Sequence, residues 1–109
     1  MNVQVTASND FTIVSVVGRI DITNAREFEK PMMEVIEKGC TKIILECSGL
    51  DYISSSGLRI FLIVQKKMMA IKGQFLLCNL QPGIMEIFDI AGFSSIFSIF
   101  PDQEAAIRG

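Results

Sequence analysis

The sequence predicts an α/β fold: a mixed sheet of four to five strands with about four helices, in the order β-β-α-β-α-β-α-β-α. Three observations carry that prediction. Short apolar runs such as "TKIILEC" and "GQFLLCNL" have the length of buried strands. Between them lie longer segments with apolar residues at helical spacing. The chain also opens on two β-branched runs, "MNVQVTA" and "FTIVSVVG", separated by "SND", which supplies hairpin turn chemistry. Strands alternating with helices after an opening hairpin imply a mixed sheet with helices against it.

Taken in order, Val3 and Val5 alternate with polar neighbours, which predicts a half-exposed first strand. A helix is predicted over 24–38. Asn24 with Glu27 three residues later resembles a capping box. Ala25, Phe28, Met32, Val35 and Ile36 then recur at helical spacing, and Gly39 closes the element. Pro31 removes one backbone donor inside this helix and predicts a kink or a tightened turn. Residues 41–47 read as a buried strand, 57–72 as a helix rich in Leu, Met, Lys and Arg, and 73–80 as another strand. Pro82 opens a third helix that Gly92 ends, "SIFSIF" is a last strand, and Pro101 opens a terminal helix. The 57–72 helix carries two apolar stripes. Ile60, Phe61, Val64, Met68 and Ile71 form one, and Leu58, Leu62 and Met69 the other, with Gln65 and Lys72 between them. One stripe covers the sheet, and the other either meets a neighbouring helix or stays exposed as a contact surface.

With 109 residues and half of them apolar, the chain is expected to form one domain over 1–109. Ten basic and twelve acidic residues are scattered, giving a net charge of -2 with no basic stripe, which argues against direct nucleic-acid binding. The absence of histidine excludes the usual zinc-ligand spacings and a serine–histidine hydrolase. Cys40, Cys47 and Cys78 are far apart in sequence and read as free thiols in a reducing compartment. No basic segment followed by an apolar one marks the N-terminus, and no apolar run approaches the roughly 20 residues of a membrane helix. The expectation is a cytoplasmic protein without membrane insertion, monomeric or weakly dimeric.

The chemistry of the sequence concentrates in "LDYISSSGLRIFLIV", where Ser54, Ser55 and Ser56 precede Gly57 and a long apolar run. Four readings compete. One serine caps the helix by accepting from free amides of the first turn. A nucleophilic serine lacks both a nucleophile elbow, since Ile53 stands where a glycine belongs, and a histidine base. An anion or nucleotide could sit at the helix start, although "SSSG" lacks the spacing and lysine of a phosphate-cradling loop. Finally, a serine at an exposed helix start is open to a kinase. The added charge, about -1.5 to -2, is tolerated by the helix dipole and opposes any partner docking there.

"GRIDITNA", "IILECSGLDYISSSGLRIFL", "GQFLLCNLQPGIMEIFDIAGF" and "SIFSIF" together resemble a STAS domain of the bacterial anti-sigma factor antagonist type, over nearly the whole chain. The resemblance implies no catalytic activity and no cofactor. It implies binding to an anti-sigma factor that is also a serine kinase, with release on phosphorylation and resetting by a serine phosphatase. Carried onto this chain, the phosphoacceptor is Ser55, followed by Ser56 and Gly57. Ser54 stands where the family has an aspartate, and Glu46 where it has a strand aspartate. Asp21 in "GRID" matches the family aspartate near the first helix, and serves equally as a turn carboxylate. The expected partner-binding surface comprises Asp21, Asn24, Ser54, Ser55, Ser56, Gly57, Leu58, Arg59 and Leu62. Ser54 motivates a second reading, an unphosphorylated STAS subunit of a lipid or solute transport ATPase. A third is a nucleotide- or anion-binding STAS module.

Overall fold

The computed structural model describes all 109 residues, Met1–Gly109. Strands β1 (Asn2–Ser8) and β2 (Phe11–Ile20) form the predicted hairpin, closed by Asn9 and Asp10. Asn9 has φ +55, a left-handed conformation that asparagine tolerates better than most residues. Then follow α1 (Ala25–Glu37), β3 (Lys42–Ile53), α2 (Ser55–Ala70), β4 (Gln74–Cys78), α3 (Pro82–Ile90), a 3₁₀ turn (Phe93–Ser95), β5 (Ser98–Phe100) and α4 (Gln103–Arg108). The five strands lie in chain order, with β1 antiparallel to β2 and every later pair parallel.

Each parallel step needs a crossover, and α1, α2 and α3 supply the three. Their apolar stripes meet the same sheet face in a cluster of 22 buried residues. Phe61 of α2 stands at its centre, with its ring 5.6 Å from Phe28, 5.9 Å from Phe88 and 6.3 Å from Phe97. The opposite face is covered only by α4, through a cluster of six buried residues including Phe11, Ile44 and Ala106.

Several expectations need correction. The first strand is more exposed than its alternation implies: Val3 packs partly on the main cluster, but Val5 remains exposed. As the 24–38 expectation has it, α1 continues through Pro31. The terminal helix starts at Gln103, not Pro101, because the Asp102 carboxylate accepts from Ala105 N at 2.8 Å and takes the cap. Gly39 and Gly92 do close their helices, with φ +87 and +77.

The most consequential difference is β3, which runs to Ile53 instead of stopping near residue 47. Ser48, Gly49 and Asp51 look like turn residues, yet the ladder continues past them through two register shifts, between Ser15 and Val17 and between Gly18 and Arg19, where Ser48 and Asp51 fall unpaired. A Cβ on Gly49 would stand 2.8 Å from Val17 Cγ2, so the close approach of the strands there requires glycine. Because β4 pairs with β3 only as far as Glu46, the tips of β2 and β3 extend beyond the rest of the sheet.

Candidate functional site

The two projecting strand tips carry the residues singled out in the sequence. Ile20 pairs with Ile53, and Ser54 N donates to Ile20 O at 2.9 Å, so the β2–α1 turn and the start of α2 lie side by side. Ser54 is the cap. Its backbone is extended, and its hydroxyl accepts from Gly57 N at 3.3 Å. Ser55 is the first residue of α2 and is exposed, whereas Ser54 and Ser56 are half-buried. The three adjacent hydroxyls thus have three different environments.

Gly57 is buried between the strand tips. A Cβ there would stand 2.7 Å from Ile20 Cγ2 and 2.8 Å from Ile53 Cγ1. Leu58 belongs to the main apolar cluster and Leu62 packs against it. Gly57 and Leu58 are buried, position the helix and offer little surface to a partner. The second α2 stripe is largely covered. Leu58 is in the core, Leu62 is half-buried, and Gln65 beside them donates to Ile96 O at 2.9 Å. Only Met69, together with Ile71 beyond the helix end, stays open.

The β2–α1 turn is held by side chains. Asn24 Oδ1 accepts from Asp21 N at 2.9 Å while its Nδ2 donates to Arg19 O at 2.8 Å. This replaces the expected capping box: the Asn24 side chain points back into the turn and makes no cap bond to α1. Asp21 accepts from the Thr23 hydroxyl and from Thr23 N, which holds its carboxyl below the usual range, the hydroxyl contributing most. Arg19 adds a favourable charge while stacking 4.4 Å over the Tyr52 ring. Glu46 lies lower on β3 and accepts from Ser48 N at 2.9 Å, Ser48 Oγ at 2.9 Å and Asn79 Nδ2 at 3.1 Å. It braces the β3–β4 side of the fold rather than the start of α2.

Sequence reasoning missed what lies between α1 and α2. A groove of about 410 Å³ is lined by Ile22, Ala25, Arg26, Glu29, Ser56, Arg59, Ile60 and Ile63. The signal was present at Ile22, an isolated apolar residue in a polar turn, which is 80% exposed. No group of His, Cys, Asp or Glu side chains is arranged to hold a metal ion. Burial raises the Cys47 thiol well above its ordinary pKa and pushes Cys78 up to about 12, so neither is a ready nucleophile. No helix is long and apolar enough to cross a membrane.

The STAS domain profile matches residues 2–106, nearly the full length. The chain belongs to the STAS domain family. This STAS domain is 39% identical over 89 residues to the "Putative anti-sigma factor antagonist BtrV" of Bordetella bronchiseptica. That match covers 82% of this chain and 77% of BtrV. It is 27% identical to the anti-sigma-B factor antagonist of Bacillus subtilis, covering 99% of this chain and 98% of the relative. The crystal structure of an anti-sigma factor antagonist from Mycobacterium paratuberculosis superposes with a TM-score of 0.90 at 21% identity. It covers 98% of this chain and 91% of that one, and shows the shared fold.

Proposed function

We propose that this STAS domain is an anti-sigma factor antagonist, a regulatory binding protein rather than an enzyme. Its unphosphorylated form occupies an anti-sigma factor serine kinase through the surface around Ser55, freeing a sigma factor in the cytoplasm. Phosphorylation of Ser55 ends the complex, and a serine phosphatase restores it. One observation supports this reading above the others: of the three serines, only Ser55 is exposed, at the first position of a helix fixed by its neighbours. The likeness to named antagonists adds to it and favours it over a transport-ATPase subunit.

Ser54, where the family carries an aspartate, fits this reading. Its hydroxyl keeps the capping bond that a carboxylate would also make, so the helix start is preserved while one negative charge is lost. Direct docking then falls to Ser55, Ser56, Arg59 and the Asp21 turn.

The test is incubation of the protein with its anti-sigma kinase and ATP, followed by peptide mass spectrometry. Phosphate is expected on Ser55, with none on Ser55→Ala. Ser55→Glu is expected to weaken kinase binding while leaving thermal stability nearly unchanged, because negative charge at a helix start is favourable by roughly 0.3–1 kcal/mol. Absence of phosphate from Ser55, with normal release of Ser55→Ala from the kinase, would refute the switch.

A further inference from the structure

The groove lined by Ser56, the residue after Ser55, holds two cations outside the ion pairs of the molecule. The ion pairs of the molecule are Lys42–Asp10 and Arg108–Glu104, and neither involves Arg26 or Arg59. Both arginines are exposed, one on α1 and one on α2, and they line the same groove. Arg59 is four residues after Ser55 and three after Ser56, the two spacings that make side chains neighbours on a helix. Ile22, Ile60 and Ile63 supply the groove's apolar surface. Glu29 also lines the groove and offsets part of this positive charge, leaving a site for one small anionic group rather than for an extended polyanion.

We propose that Arg26 and Arg59 are the element that reads the state of Ser55. While Ser55 is a free hydroxyl, they bind an Asp or Glu carboxylate of the anti-sigma factor, with an apolar partner residue against Ile22. Once Ser55 is phosphorylated, the same guanidinium groups turn to its phosphoryl oxygens and the partner's carboxylate loses its place. This rests on the function proposed above and assigns it a mechanism. In the modification step, the Ser55 Oγ–P bond forms as the bond from the γ-phosphorus of ATP to the bridging β–γ oxygen breaks. The hydroxyl proton passes to a base of the kinase, and ADP leaves. Arginine suits both roles because its planar fork pairs with carboxylate and phosphate alike. The phosphoryl group wins on two counts. It carries nearly twice the charge of a carboxylate, and it is tethered beside Arg59, so its competition is intramolecular.

The experiment has two arms, using wild type, Arg26→Ala/Arg59→Ala and the control Lys66→Ala/Lys67→Ala, which removes two exposed charges elsewhere on α2. In the first arm, phosphoserine is installed at position 55 and its second ionisation is followed by ³¹P NMR. Removing the arginines is expected to raise that pKa by about 0.5 unit, as loss of exposed charge pairing should, while the lysine control leaves it unchanged. In the second arm, the unphosphorylated proteins are titrated with the anti-sigma factor by calorimetry. The arginine variant is expected to bind about tenfold more weakly, with a shallower salt dependence, and the control like wild type. Unchanged ionisation of the phosphate in the arginine variant overturns the inference, whatever the partner does. If wild type binds and is released by phosphorylation but the arginine variant behaves identically, the function stands and the arginine reading fails. If wild type binds no anti-sigma factor, the proposed function fails, and the partner half of the inference with it.

Discussion

The chain leaves the paired tips of β2 and β3 twice, entering a helix each time, and the two turns are built on opposite principles. From Ile53 it reaches α2 after the single residue Ser54, and Gly57 then packs directly on Ile20 and Ile53. From Ile20 it takes residues 21–24 to reach α1, and those residues are held by hydrogen bonds among Asp21, Thr23, Asn24 and Arg19. The first turn is an apolar clamp with no slack, which fixes the position of Ser55. The second is a partly hydrated polar loop that leaves Ile22 80% exposed. Apolar close packing is intolerant of added volume, whereas exposed hydrogen bonds are individually worth little and exchange readily with water. The fold therefore places a rigid helix start, which carries the proposed phosphoacceptor Ser55, beside an adaptable loop, on strands that extend beyond their neighbours.

Adding volume to the clamp tests this contrast most severely. Gly57→Ala drives a methyl into Ile20 and Ile53, both buried. Even after the gain in helix propensity it is expected to cost about 2 kcal/mol, a fall of roughly 8 °C in melting temperature. An unchanged melting temperature would mean that the tips spread freely and the clamp is not rigid. On the polar side, Asn24→Ala removes the bonds to Asp21 N and Arg19 O and is expected to cost about 1.5 kcal/mol. Amide shifts should stay within the 19–25 segment. Spread of those shifts to Ser55 would show that the two turns are coupled after all.

The difference between the turns also decided what the sequence made legible. Periodicity located α1 and α2, because Phe28, Met32, Phe61 and Val64 each face one cluster at regular spacing, while Pro82 and Gly92 marked the ends of α3. The order of elements along the chain followed from their alternation. The length of β3 did not, because Ser48, Gly49 and Asp51 have turn composition, and it is the pairing of Gly49, Leu50, Tyr52 and Ile53 with β2 that carries the strand past them. Asn24 was misread for a related reason. Its spacing to Glu27 satisfies a local rule, but the Asn24 Oδ1 that would cap α1 accepts instead from Asp21 N, three residues back. The arginine groove was invisible because Arg26 and Arg59 are 33 positions apart and meet only through the packing of α1 on α2.

Ser54→Ala sharpens the comparison from the clamp side. It removes the cap bond to Gly57 N while leaving the apolar contacts, so a loss of about 1 kcal/mol is expected. Ser54→Asp keeps an acceptor in the same place and should retain full stability in chemical denaturation. If the two variants are equally destabilised, the cap bond contributes nothing and packing alone holds the helix start.

The smallest effect belongs to Asp21. Its folded pKa is depressed below the ordinary 3.8, chiefly by the Thr23 hydroxyl. A carboxyl depressed by folding adds stability that is fully present above its unfolded pKa and disappears as pH falls through the folded one. Stability should therefore decline in acid partly through this turn, below about pH 4. Thr23→Val removes the hydroxyl donor but keeps the backbone donor, so carboxyl ¹³C titration should show the Asp21 pKa moving up towards 3.8 without reaching it. The Ser55 amide should not respond to this titration, since the clamp beside it has no titrating group among its contacts. A Ser55 shift that tracks Asp21 would instead join the two turns into one electrostatic unit. The adaptable loop would then transmit its protonation state to the modification site.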